Sequence, residues 1–297
     1  RRRLRAVHGK LRRLRTTTKA GLAQQGAMAS AKHGVAFHGL APTALRDARR
    51  QYAQALRRPW PGRCLTTFLD LEGTDPAYTF ANTLFSNWFS CWALSPDLRA
   101  QVKRAWPKIY FRMLKVPAQR RWQQRRGPIA AVILALWELG WDSRGPDHCI
   151  GTAGSDWKSP RDDAHDTQDI LDAIMQDVRL QLWTTAAAHY NGGGLEHNGA
   201  DATDLQRRLK WLRNHDKHRE YGALLTAACA GTWTRSRQQT TFDNGDGLCE
   251  CGQPGADHHR IWERCSCRGD DVAYEKSDKL QARAAAGHLS SPAFWLR

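Results

Sequence analysis

Cys249, Cys251, Cys265 and Cys267 fall within nineteen residues, with His258 and His259 between the two pairs. They are four of the chain's eight cysteines. Thiolates and imidazoles at such spacing, on either side of a turn, are what a tetrahedral zinc site takes as ligands. Gly252, Pro254 and Gly255 let the backbone fold back between the pairs. Cys249, Cys251, His259 and Cys265 would together form a Cys3His site. Cys267 could replace the last of these ligands, and His258 the third. The C-x-C spacing is tighter than the usual C-x2-C of zinc knuckles and loads strain onto the first turn. No general base accompanies the cluster, so it reads as a closed structural site whose metal-binding energy is folding energy.

A second cluster is acidic: Asp162, Asp163, His165, Asp166, Asp169 and Asp172. Gathered carboxylates hold Mg2+ in two-metal nucleases and polymerases, and that is the competing enzymatic reading of this chain. These acids, however, stand before and within the first turns of a helix beginning near Thr167. There they cap N–H groups and complement the helix dipole. The structural reading is preferred, and no catalytic residue is assigned. Asn191-Gly-Gly-Gly194 lacks the Lys-Ser/Thr of a phosphate loop, and neither G-x-S-x-G nor H-E-x-x-H occurs.

The elements that must position these groups are set in a basic chain of net charge +16, and the charge is lopsided. Residues 1–126 hold 26 Lys/Arg against 5 Asp/Glu; the remaining 171 hold 19 against 24. A block of +21 is an electrostatic footprint for polyphosphate, so RNA or DNA is the expected partner. The contacts expected first are Arg1, Arg2, Arg3, Arg5, Arg12, Arg13, Arg15 and Lys19. They lie on an amphipathic helix whose other face carries Leu4, Val7, Leu11 and Leu14. The chain opens on Arg rather than Met and reads as part of a longer frame. The segment Arg1–Arg15 has no apolar core of a signal peptide, and the longest apolar run, Ile129–Trp137, is too short to span a bilayer. The expected location is intracellular and nuclear, with no membrane partner.

Periodicity predicts a mainly α protein: a helical, bundle-like region followed by a small zinc-knuckle-like module. The divisions expected are a basic helical region (1–126), a helical domain (127–235), the Cys/His segment (243–267) and a polar tail (268–297). Gly34–Gly39 reads as a link, followed by a helix from Pro42 through Leu56. Residues 77–116 read as helical, with aromatics that are core first and base-stacking second. Lys115–Arg126 reads as a basic linker and Ile129–Leu139 as a buried helix closed by Gly140. Trp141–Asp163 reads as a loop or hairpin. Helices follow at Thr167–Tyr190, with Ile170, Ile174, Val178 and Leu182 in one stripe, near Asp204–Arg213 and at His218–Cys229.

Several phrases occur in a familiar order: Gly39-Leu-Ala-Pro-Thr-Ala-Leu-Arg46, Pro61-Gly-Arg-Cys64, Arg126-Gly-Pro-Ile-Ala-Ala131 with Leu139-Gly-Trp141, Leu209-Lys-Trp-Leu-Arg213, and Cys251-Gly followed by Asp257, His259-Arg-Ile-Trp262 and Cys265. Together they resemble the region downstream of the polymerase core in reverse transcriptases of non-LTR (LINE-like) retroelements. The resemblance implies a helical, nucleic-acid-binding accessory region with a Cys/His knuckle. The Tyr-x-Asp-Asp signature that holds catalytic magnesium in such enzymes is nowhere in this chain. The C-x-C spacing and the position of Trp262 depart from the family pattern, as a degenerate, non-functional copy would.

Overall fold

The computed structural model describes residues 29–56, 62–72, 75–152, 156–158, 164–188, 195–196, 199–231, 235–243, 245–255 and 267. The expected basic helix, with Arg1, Arg2, Arg3, Arg5, Arg12, Arg13, Arg15 and Lys19, lies outside these residues. Among the described residues the elements run α1 (Ala29–His38), α2 (Pro42–Leu56), α3 (Leu65–Leu71), α4 (Pro76–Leu94), α5 (Pro96–Leu114), α6 (Ala118–Gln124) and α7 (Gly127–Glu138). Three strands follow, β1 (Asp142–Gly145), β2 (His148–Ile150) and β3 (Asp156–Lys158). The last helices are α8 (Ala164–Ala187), α9 (Thr203–Asn214), α10 (His218–Ala228) and α11 (Arg235–Phe242). The class is mainly α, as the periodicity predicts.

The chain forms two compact units, one of residues 1–59 and 73–182, the other of 60–72 and 183–297. The composition break at residue 126 falls inside the first, between α6 and α7.

In the first unit, α7 is the buried centre. Ala130, Ala131, Val132, Ile133, Leu134 and Leu136 are all buried, as expected of a helix apolar all round. Gly140 ends it at φ +81°, a left-handed conformation that glycine adopts without a Cβ clash. Its N–H donates to Trp137 O (3.0 Å), and that of Trp141 to Leu136 O (2.9 Å). Helices α1, α4, α5 and α6 pack around α7. The stripe Ile170, Ile174, Val178 and Leu182 of α8 is buried. The strands form one antiparallel sheet in the order β1-β2-β3. Trp106 of α5 fastens β1 by donating its indole N–H to Ser143 O (3.2 Å). Trp141 does the same for α8 through Asp177 (2.6 Å).

Residues 77–116 are helical, as expected, and divide into two helices because Ser95 precedes a proline and is extended (φ −153°, ψ 128°). Two details differ from expectation. The link over Gly34–Gly39 is mostly helix α1, with Val35 buried. The linker over Lys115–Arg126 contains α6, held by Trp122, which packs against Met113, Ala130 and Leu134 and donates to Glu138 Oε1 (3.0 Å). One ion pair is deeply buried in this unit. Arg49 of α2 meets Asp75 with Nε to Oδ1 at 3.0 Å and Nη2 to Oδ2 at 2.6 Å. Asp75 Oδ1 also accepts from Ala77 N (2.9 Å), capping α4.

The second unit joins an early segment to the last third of the chain. Phe68 and Leu69 of α3 are fully buried, and Cys64 N donates to Cys229 O (2.7 Å). Glu72 accepts from Tyr221 Oη (2.5 Å) and from Arg213 Nη2 (3.0 Å), while Arg213 Nη2 also donates to Tyr221 Oη (2.7 Å). Arg237 of α11 donates to Gly62 O (2.8 Å) and to Ala230 O.

Candidate metal centre

The cysteine segment is a small hairpin seated on α11. Asp246 Oδ1 accepts from Leu248 N (2.9 Å), turning the chain into the first arm. Leu248 and Pro254 then pair as an antiparallel bridge. Cys249 N donates to Gln253 O (2.7 Å) and Gly255 N to Gly247 O (2.8 Å). The tip is closed by Gly252 N donating to Cys249 O (2.8 Å). Cys249 is therefore the first residue of a four-residue turn and Cys251 the third, which brings both thiols to one end of the hairpin. The strain expected from C-x-C spacing falls on Gly252, at φ +82°; neither cysteine has a positive φ.

Helix α11 is the platform. Arg235 Nη1 donates to Leu248 O (3.1 Å) and Nη2 to Glu250 Oε1 (2.8 Å), so one guanidinium grips the residues on both sides of Cys249. The far end of the hairpin is fixed by Ser236, whose N (3.3 Å) and Oγ (3.2 Å) both donate to Gly255 O.

Cys267 supplies the third thiol. The Sγ atoms of Cys249, Cys251 and Cys267 all lie within 4.8 Å of one another, and Cys249 Sγ is 4.0 Å from Cys267 Sγ. A disulfide bond is about 2.05 Å. A tetrahedral ion with Zn–S bonds of about 2.3 Å sets its sulfurs about 3.8 Å apart, so the spacing fits a shared metal. Cys249 and Cys251 are half-buried and Cys267 is exposed. Three cysteines that can hold a metal ion are thus brought together, two from the expected set and the third the one foreseen as a substitute for Cys265. His258, His259 and Cys265 lie outside the described residues.

The other described cysteines are dispersed. Cys64 and Cys229 are buried in the second unit, and Cys91 is exposed on α4. Cys149 lines an apolar cavity with Trp88, Trp106 and Ile174. Burial there pushes its thiol up to about 12, and the carboxylates of Asp142 and Asp147 push the same way.

Of the acidic cluster, Asp162 and Asp163 lie outside the described residues, as do the side chains of His165 and Asp166. Asp169 and Asp172 are exposed on the early turns of α8, and Asp172 accepts from Gln168 Nε2 (2.7 Å). Among the described residues, only the three thiols form a group with metal-binding geometry. Sequence reasoning missed Arg235 and α11 altogether; the signal available was an Arg-Ser pair ahead of the cysteines, which spacing does not distinguish from any polar helix start.

Of the nine aromatics of α4 and α5, Phe80, Phe85, Trp88 and Trp106 are buried in the core, and Tyr78, Phe89, Trp92 and Tyr110 are half-buried. Phe111 is the departure, at 60% exposed. No helix among the described residues is long and apolar enough to cross a membrane. Compared with known proteins, the chain matches no family model, no curated protein and no solved structure.

Proposed function

We propose that the chain is a nucleic-acid-binding accessory region of a retroelement RNA-directed DNA polymerase, acting in the nucleus beside a catalytic core that it does not itself contain. The observation that carries this reading is the charge block: +21 over residues 1–126. Neutralising phosphates releases condensed counterions, and a surface of this charge draws much of its affinity from that release. The retroelement assignment rests on the ordered phrases from Gly39 to Cys265 and on the knuckle-like cysteine turn.

In this reading the metal is zinc, held by Cys249, Cys251 and Cys267 with a fourth ligand from His258, His259 or Cys265. Zinc would supply folding energy to the C-terminal module, locking the hairpin against α11. The chain would position template or target and perform no chemistry of its own.

The test is equilibrium binding of the full chain to RNA and DNA between about 50 and 200 mM salt. Affinity is expected to fall steeply across that range. A salt-insensitive complex, or no binding at low salt, would sink the proposal.

A further inference from the structure

Between residues 98 and 137 the chain carries ten Lys/Arg and no Asp/Glu. The structure sorts them. Helix α5 turns Trp106 and Met113 inward, both buried. Its opposite side exposes Arg104, Lys108 and Arg112, spaced by four, with Lys115 following at the helix end. Their neighbour Lys103 has a carboxylate partner, Asp147 at 2.6 Å. Among the described residues, no carboxylate pairs with Arg104, Lys108, Arg112 or Lys115. Like charges four apart on a helix repel one another, so α5 carries an uncompensated repulsion that a polyanion would relieve.

The same face holds a positioned aromatic ring. Phe111 stands edge-on to Tyr110 (5.7 Å between centroids, 89°), and Tyr110 stands edge-on to Trp137 of α7 (5.2 Å, 74°). This ladder runs from the central helix to the surface and ends in a phenyl group 60% exposed. A rigid ring set among cations is the pairing by which proteins hold unpaired bases, stacking on the base while the cations track the backbone.

We propose that Arg104, Lys108, Phe111, Arg112 and Lys115 form a contact face for single-stranded nucleic acid, with the cations on phosphates and Phe111 against a base. The proposal rests on the nucleic-acid reading above and adds to the expected contacts of Arg1–Lys19 a second one, on α5.

The test uses the full chain and fluorescently labelled oligonucleotides of roughly 20 nucleotides, single-stranded and duplex, titrated at several salt concentrations. For the triple variant R104Q/K108Q/R112Q, the single-strand salt slope is expected to drop by about 2, since each phosphate contact contributes about 0.7. For Phe111→Ala, single-strand binding is expected to weaken roughly 5- to 150-fold with the duplex nearly unaffected. Both changes are on an outward face, and unchanged thermal melts verify that folding is intact. If the parent chain binds neither oligonucleotide, the nucleic-acid reading itself fails. If the parent binds and the triple variant keeps its slope, the α5 face is not the contact. If Phe111→Ala leaves single-strand affinity unchanged, or weakens duplex binding equally, base stacking is overturned.

Discussion

Arg235 and Glu250 are joined at 2.8 Å across fifteen residues, and the same guanidinium reaches Leu248 O at 3.1 Å. Cys249 is thereby clamped between two anchored neighbours before any metal arrives. Residues that orient metal ligands in this way commonly govern affinity by 10–100-fold. Arg235→Ala is expected to raise the zinc dissociation constant by about that factor, measured by competition with a chromophoric chelator. Arg235→Lys should recover only part of it, because an ammonium lacks the fork that reaches both partners.

The ligand set makes a sharper prediction. Purified chain is expected to hold one zinc, lost in Cys251→Ser and retained in Cys91→Ser. Cys267→Ser should also weaken zinc binding, since Cys267 is the thiol 4.0 Å from Cys249. Metal analysis and the chelator titration read both results. Chelation should also lower the melting temperature of the parent, because metal bound to the folded hairpin stabilises it by mass action.

The ion pair between α2 and the start of α4 predicts a large stability effect. The Arg49 and Asp75 side chains are 8% and 1% exposed. Removing one partner strands the other charge in the interior, at a cost of about 3–5 kcal/mol. Asp75→Ala, which also removes the α4 cap, is expected in that range by urea unfolding. Asp75→Asn keeps an oxygen for Ala77 N and should lose less.

Cys149 gives the pH dependence. Its folded thiol lies near 12, while an unperturbed thiol titrates near 8.5. The unfolded chain therefore sheds this proton first, and the stability it contributes is present below about 8.5 and declines as pH rises toward 12. Iodoacetamide at about pH 9 should modify exposed Cys91 quickly and Cys149 slowly; mass spectrometry of digested peptides distinguishes them.

What the sequence makes legible follows from where each signal is stored. Helices α2, α7 and α8 are readable because Pro42, Gly140 and the Ile170–Leu182 stripe are local marks of helix ends and faces. Helix α11 is not, because Arg-Ser-Arg-Gln-Gln-Thr-Thr-Phe has no apolar stripe and is held by contacts to Gly62, Ala230 and Gly255. Helix α6 is hidden for a similar reason: its one buried anchor, Trp122, sits among five polar or charged neighbours. At the metal centre, residue type and spacing mark Cys249 and Cys251. That Cys267 joins them is a matter of tertiary structure, as is the grip of Arg235.

The second unit is built from two stretches of chain, residues 60–72 and 183–297. Its bonds between Glu72 and Tyr221 and between Gly62 and Arg237 span 149 and 175 residues. No single cut can therefore excise it: a fragment beginning at Trp183 would carry the cysteines but leave Tyr221 and Arg213 without Glu72, and α10 without α3. The same topology orders biosynthesis. Leu65–Leu71 emerges from the ribosome more than a hundred residues ahead of its partners and has to stay unclaimed until the last third of the chain is made. Metal loading at Cys249, Cys251 and Cys267 would then come after the segment made early has found its place.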